Sequence, residues 1–387
     1  MNISRVGINA HFVTRLPRRG IGTYSLNLIR EIVLIRPDID FYLYICHPDL
    51  DASLPSGPNV FIRQINLPLD PLWEQVVLPL AAYQDGVHLL HSLGNTSPLF
   101  TIGNMKQVLT IHDVMFLQTG SFVLKPVTFY QKIGRWYRSL ITPRSANRVS
   151  KVITVSEFSK QDILSLIPTV DDKHVVVTYE GCDPVFSENF KGFRQSDVLP
   201  NKQEYPKPFI LCLGADDPRK NTLMMVTSYL KLVREQNVVE NLVIAGYKDW
   251  KNSRAYQEVV NAGAEARVQF LPFVSIHELV DLYRNAVMFV YPSLYEGFGI
   301  PILEAFNTGC PVVASKVTSI PEVGGEAVLY FNPEHLEELV MAILKLIGDP
   351  ALRESMSSLG RARATQFGWD RVATQTIDVY LRCLACN

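Results

Sequence analysis

Two glutamates eight positions apart, Glu296 and Glu304, lie in the segment YPSLYEGFGIPILEA that spans residues 291–305. The segment reads as the end of a strand, a glycine-bearing loop, and a helix begun by Pro301, whose fixed φ and missing N–H suit the first helical turn. A helix N-terminus beside glycines is an anion site, because unpaired backbone N–H groups and the helix dipole both favour negative charge. Two carboxylates beside a phosphate would repel it unless they bind something else. Carboxylates accept well from neighbouring hydroxyls, which sugars and riboses supply. Glu304, expected in the first helical turn, is placed for a ribose, and Glu296, in the loop, for a hexose. The alternative is two ordinary acids near a helix N-terminus, which the dipole also favours. The glycines and the proline weigh against it.

A second segment, LGADDPRKN over residues 213–221, ends a strand in Gly214 and then sets Arg219 and Lys220 in a loop before a helix. Transfer of a sugar from a nucleotide diphosphate develops charge on the leaving group, and fixed cations stabilise that charge without reorganising. A solvated basic loop is the alternative. A third, Thr110-Ile111-His112-Asp113, places His112 at the end of a strand, where it would point into a cleft and hydrogen-bond a sugar hydroxyl. Asp113 either orients that ring or caps the loop. A fourth, PRRGIGTY over residues 17–24, puts Gly20 and Gly22 before a helix. A glycine turn after a first strand is shared with dinucleotide-binding domains, but no acid ends the second strand, FYLYIC, so NAD binding loses support.

Other patterns carry less. Asp38 and Asp40 have the spacing that metal-dependent sugar transferases use, but they precede a strand and read as a helix-to-strand loop. His88 and His91 would point to opposite faces of a strand. Cys383 and Cys386 form a CxxC pair without further ligands nearby. No metal site and no cofactor are expected. Residues 121–150 hold six basic residues and no acid, interleaved with aromatic residues. That composition suits either an anionic membrane surface or an amphipathic helix packed on its own domain.

The elements that must position these groups are legible from periodicity. Short apolar runs at Arg5–Ala10, Phe41–Cys46, Val60–Ile65, Val87–His91, Val108–Ile111, Val152–Val155 and Val175–Thr178 predict one series of strands. A second series is predicted at Phe209–Gly214, Leu242–Gly246, Val268–Leu271, Val287–Tyr291 and Val312–Ser315. Near-continuous apolar strands alternating with helices mean parallel sheets covered on both faces. The polar stretch from Ser187 to Pro208 reads as a connection between two α/β domains. The expected division is 1–190, 191–366, and a C-terminal helix over 367–387 packing back on the first domain. With 387 residues, 47% hydrophobic and 19% charged, two substantial cores are expected. A net charge of −1 gives no global attraction to nucleic acid. With no signal peptide and no spanning segment visible, a cytoplasmic protein is expected, with the inner membrane face as a possible setting.

The 291–305 segment resembles the Glu-x7-Glu motif of the retaining glycosyltransferases of family 4. The flanking CPVVASKVTSIPEV and FVSIHELVDLYRNAVMFVYPS match that family's C-terminal domain in order and spacing. The resemblance covers nearly the whole chain and implies the GT-B fold, two Rossmann-like domains facing a cleft. It implies that Glu296 contacts the transferred sugar and Glu304 the ribose, while Gly297, Phe298, Gly299 and Ile300 hold sugar and phosphates. Lys220 falls on the family's diphosphate-binding lysine. The arginine usual after the strand glycine is Ala215 here, so Arg219 or another cation is expected to substitute. His112 lines the active site, Gly20 and Gly22 approach the donor phosphates, and Phe273 and Val274 lie where the base stacks. The implied donor is a UDP-sugar or GDP-mannose, and the acceptor is a saccharide or lipid-linked saccharide. An NAD-type oxidoreductase and a non-catalytic relative are the other readings.

Overall fold

The computed structural model describes residues 4–15, 20–49, 53–67, 69–118, 129–187 and 205–385. Two compact units divide the chain. The first takes the described residues up to 118, then 129–181 and 368–385; the second takes 182–187 and 205–367.

In the first unit the strands are β1 (Arg5–Asn9), β2 (Asp40–Ile45), β3 (Val60–Gln64), β4 (Leu89–Ser92), β5 (Lys106–Ile111), β6 (Lys151–Thr154) and β7 (Val175–Val177). They form one sheet in the order β3-β2-β1-β4-β5-β6-β7, parallel throughout. Its helices are α1 (Gly20–Ile35), α2 (Asp70–Leu72), α3 (Leu78–Gln84), α4 (Phe129–Ala146) and α5 (Glu157–Leu166). A π-helical turn, Trp73–Val77, joins α2 to α3. In the second unit β8 (Phe209–Leu213), β9 (Asn241–Ala245), β10 (Val268–Phe270), β11 (Met288–Tyr291), β12 (Val312–Ser315) and β13 (Val328–Phe331) make a parallel sheet in the order β10-β9-β8-β11-β12-β13. Its helices are α6 (Thr222–Gln236), α7 (Arg254–Asn261), α8 (Ile276–Asn285), α9 (Ile300–Asn307), α10 (Ile320–Gly324), α11 (Leu336–Gly348) and α12 (Pro350–Ala364); α13 (Trp369–Ala385) follows, in the first unit.

The strands form where apolar and β-branched residues can be buried on both faces. Val6, Ile8, Leu43, Val108 and Leu109, and then Ile210, Leu211, Val290 and Val313, are all fully buried. Strand order reverses between β1 and β4 in one sheet and between β8 and β11 in the other. Such switch points leave a crevice at the carboxyl ends of the two central strands. The loops carrying Arg219 and Lys220, and Glu296, leave β8 and β11, which are neighbours in register at Cys212 and Val290. β13, absent from the sequence reading, extends the second sheet by one edge strand.

The last helix, α13, packs on α1. Its apolar stripe buries Trp369, Val372, Ile377 and Tyr380, and the Trp369 ring meets Tyr24 of α1 edge-on at 5.5 Å. At its centre the Tyr380 hydroxyl bonds His91 Nδ1 at 2.6 Å, while His91 Nε2 bonds Thr110 Oγ1 at 2.8 Å. Burial, with His112 nearby, pushes His91 down to about 3, so the ring is neutral at any ordinary pH. The unfolded imidazole takes a proton below its usual value near 6.5 and the native one does not. Stability from this group is therefore full above pH 6.5 and is lost as pH falls toward 3. Tyr380→Phe strands a buried ring nitrogen and is expected to lower unfolding free energy by about 1–3 kcal/mol. A urea titration at pH 7.5 measures this; an unchanged midpoint would contradict the pinning.

Candidate active site

The Glu296 loop begins where β11 ends. Three hydroxyls, from the last residue of β12 and the segment after it, tie it down. Ser315 Oγ donates to Ser293 O at 2.5 Å, Thr318 Oγ1 accepts from Glu296 N at 3.2 Å, and Ser319 Oγ donates to Glu296 O and Phe298 O at 2.9 and 2.7 Å. The Phe298 side chain turns inward against Phe367 and is buried, so what this residue can offer a ligand is its backbone. Gly299 caps α9 with φ 117°, a conformation that a side chain would strain. It starts the helix at Ile300, with Pro301 in the first turn.

Across the switch point, Asp217 shapes the short 3₁₀ turn Pro218–Lys220 by accepting from Arg219 N at 3.0 Å and from Arg219 Nε at 3.1 Å. The turn is fastened to the other loop by Leu294 N donating to Arg219 O at 2.7 Å. Lys220 Nζ then stands 2.8 Å from Glu296 Oε1, and Arg219 Nη1 stands 3.7 Å from Glu296 Oε2. Burial alone would raise the Glu296 carboxyl; the Lys220 and Arg219 cations outweigh it and hold it at about 2. Glu296 is thus ionised near neutral pH and acts as a hydrogen-bond acceptor. Arg219, the residue expected to stand in for the arginine missing at Ala215, does reach this cluster. Gly214 is needed for packing, since a Cβ there would lie 2.4 Å from Ile244 Cγ2.

Glu304 departs from expectation. With the cap at Gly299 it is the fifth residue of α9, one turn deeper than the first turn foreseen for it. The dipole-facing N–H groups are therefore not its partners. Instead the Tyr283 hydroxyl donates to Glu304 Oε2 at 3.0 Å. Burial raises this carboxyl to about 7, with Asp183 adding to the rise and Tyr283 and Lys220 opposing it.

His112 belongs to the first unit. Its backbone N donates to Asn95 Oδ1 at 2.7 Å and its carbonyl accepts from Ser159 Oγ at 3.1 Å, which fixes the turn after β5. Nε2 lies 2.9 Å from Leu93 O and Nδ1 lies 3.1 Å from Glu180 Oε1, and the edge of Tyr24 rests on the ring with centroids 4.6 Å apart. A carbonyl only accepts, so Nε2 carries a proton and donates it. Glu180, which the sequence reading passed over, is the acid that orients the ring; Asp113 instead accepts from Met115 N at 3.1 Å and caps the loop. Gly20 opens α1 and Gly22 is buried within it.

Phe273 is exposed, and Val274 half-buried, in the loop after β10. Asp38 pairs with Arg36 at 2.7 Å, and His91 is committed to Tyr380. Cys386 lies outside the described residues, and Cys383 is buried and unbridged. Among the described residues no cluster of three or more His, Cys, Asp or Glu could hold a metal.

The raised Glu304 carboxyl gives a pH signature. Below about 4.5 the folded and unfolded states are both protonated; between 4.5 and 7 only the unfolded state ionises, so native stability falls as pH rises and the cost is complete above 7. Glu304→Gln removes that slope. The variant is expected to gain on the order of 2–3 kcal/mol on the wild type between pH 4.5 and 8. Parallel pH profiles in chemical denaturation would contradict the assignment.

Residues 18–186 match the family described as Glycosyltransferase Family 4, and residues 196–363 match Glycosyl transferases group 1. O-antigen chain mannosyltransferase B of Escherichia coli is 30% identical over 388 residues, covering 95% of this chain and 97% of that one. O-antigen chain mannosyltransferase RfbU of Salmonella typhimurium is 28% identical, covering 83% of this chain and 86% of its own. Among solved structures, sucrose-phosphate synthase from Thermosynechococcus elongatus aligns with a TM-score of 0.73 at 18% identity, covering 99% of this chain and all of that one (100%). Anabaena HepE, solved with UDP and glucose, aligns with a TM-score of 0.68 at 18% identity, covering 98% and 100%. The chain belongs to glycosyltransferase family 4 and is a glycosyltransferase of the GT-B fold.

Proposed function

We propose that this glycosyltransferase moves mannose from a nucleotide-diphosphate donor, GDP-mannose, to a saccharide or lipid-linked saccharide, with retention and without a metal. It would act in the cytoplasm, in the synthesis of a surface polysaccharide. The observation that carries the reading is the cluster of Lys220, Arg219 and Glu296, with the names of the two O-antigen relatives supporting mannose. In the proposed reaction Lys220 and Arg219 take up the charge that develops on the departing diphosphate, the task a divalent ion performs elsewhere. Amides of Gly297 to Ile300 hold sugar and phosphate. Glu296, held ionised, accepts from sugar hydroxyls. Its two cations make it a poor nucleophile, which favours same-face substitution over a covalent intermediate. Glu304 takes the ribose, and Phe273 and Val274 flank the base. His112 would exchange its bond to Leu93 for a sugar hydroxyl. A dinucleotide-dependent oxidoreductase has no support from the family assignment, and Arg219 beside Glu296 weighs against a non-catalytic relative.

The test is a thermal-shift panel followed by transfer. GDP is expected to stabilise the protein more than UDP or NAD. GDP-mannose is expected to support transfer in the presence of EDTA, and Glu296→Gln to lower kcat at least 100-fold with the fold intact. Stabilisation by UDP alone would replace mannose with another hexose as the reading, and full activity in Glu296→Gln would overturn the site.

A further inference from the structure

The helical stretch from Asp70 to Gln84 carries an outer face that a water-facing helix rarely has. Leu72, Val76 and Leu80 recur once per turn and are 45%, 44% and 43% exposed, with Leu69 and Tyr83 continuing the row at either end. Residues four apart share one face of a helix, and the π-helical turn Trp73–Val77 within the stretch keeps that spacing on one side. Only two residues in the stretch ionise, and neither is spare. Asp70 pairs with Arg15 at 2.6 Å, and Glu74 is buried, accepting from Thr96 and Tyr137. An exposed row with no charge along it is a contact surface rather than a solvated face.

What borders the row is basic. Gln75 accepts from Leu99 N, and Leu99 O accepts from Arg148 Nη1, so the loop holding Phe100 lies alongside. Phe100 is 71% exposed, with the Arg148 guanidinium 4.7 Å from its ring centroid. Gln75 also donates to the Tyr137 hydroxyl of α4, which in turn donates to Glu74, so α4 meets the same stretch. α4 and the residues after it expose Lys132, Trp136, Arg144 and Arg148, and residues 132–148 include no acid. In a chain of net charge −1 that is a local concentration of positive charge. Among the described residues no helix is long and apolar enough to cross a membrane.

We propose that this face is a lipid-binding surface: the Leu72-Val76-Leu80 row enters the headgroup–acyl boundary of an anionic bilayer, and the α4 cations meet its headgroups. An apolar row lying flat beside cations and aromatic rings is the chemistry of interfacial rather than spanning attachment. Each Lys or Arg near such a surface strengthens the attachment at low salt. The basic stretch supplies charge, while the insertion belongs to a row some fifty residues earlier in the chain. The inference extends the proposed transfer to a lipid-linked acceptor, and vesicle binding reads it without that transfer taking place.

Purified full-length protein is sedimented with vesicles of phosphatidylcholine alone or mixed with phosphatidylglycerol, at low and high salt. The wild type is expected to pellet with the anionic vesicles at low salt, and Leu72→Gln/Val76→Gln/Leu80→Gln to lower the bound fraction at least five-fold. Phe100→Ser, a single exposed change, is expected to weaken binding at least two-fold, and GDP-induced thermal shifts in both variants report that the donor unit is intact. Equal binding by the triple variant, no binding by the wild type, or a wild-type dimer in light scattering that the triple variant dissolves would each overturn the lipid assignment.

Discussion

The second unit is organised around one buried ion pair. Lys220 and Glu296 come from loops on neighbouring central strands, meet at 2.8 Å, and sit where their side chains are only 20% and 11% exposed. Removing water from two charges costs several kcal/mol per ion, and attraction offsets that only when the geometry is good and the remaining lone pairs are satisfied. Here Arg219 supplies a second cation, and Tyr291 lies under the lysine, with Nζ 5.2 Å from its ring centroid. A site so arranged holds two positive groups close together, at rest on an internal anion. In the proposed reaction a diphosphate competes with Glu296 for those cations.

The surrounding structure serves that pair. The parallel sheet brings β8 and β11 side by side because the strand order reverses there, and so loops about eighty residues apart in sequence become neighbours. Ser315, Thr318 and Ser319 hold the Glu296 loop from the third side, so its backbone is placed before any ligand arrives. Such preorganisation is what makes fixed charges useful during a reaction. In the first unit the same economy appears around His112, whose carbonyl, amide and both ring nitrogens are each engaged.

Much of this was legible in the sequence, for physical reasons. Most of the twelve expected strands announced themselves because both faces of a parallel sheet are buried and their runs are largely apolar; β3, an edge strand with Ile62, Arg63 and Gln64 exposed, was legible only from its Val60-Phe61-Ile62 run. The thirteenth, β13, is an edge strand whose Leu329 and Tyr330 are half-buried, so its four residues did not stand out. The Glu296 and Lys220 loops were visible because glycine, proline and paired charges have few other reasons to coincide at strand ends. Partners supplied from far along the chain were not visible: Glu180 lies 68 residues from His112, and Tyr283 is 21 residues from Glu304. The depth of Glu304 in its helix depended on where Gly299 turns left-handed, which sequence spacing does not reveal. The apolar row on the Asp70–Gln84 stretch was hidden for another reason: apolar residues four apart read as the buried face of a helix, and the sequence does not say that Leu72, Val76 and Leu80 are exposed.

The most direct test of the ion pair as the donor site is the affinity for GDP, measured by calorimetry, in two variants that remove opposite halves of it. Lys220→Met deletes a cation the diphosphate needs, and Glu296→Gln deletes the anion that competes with the diphosphate for it. The account predicts at least tenfold weaker binding in Lys220→Met and equal or tighter binding in Glu296→Gln. Equal weakening in both, or none in Lys220→Met, would contradict it.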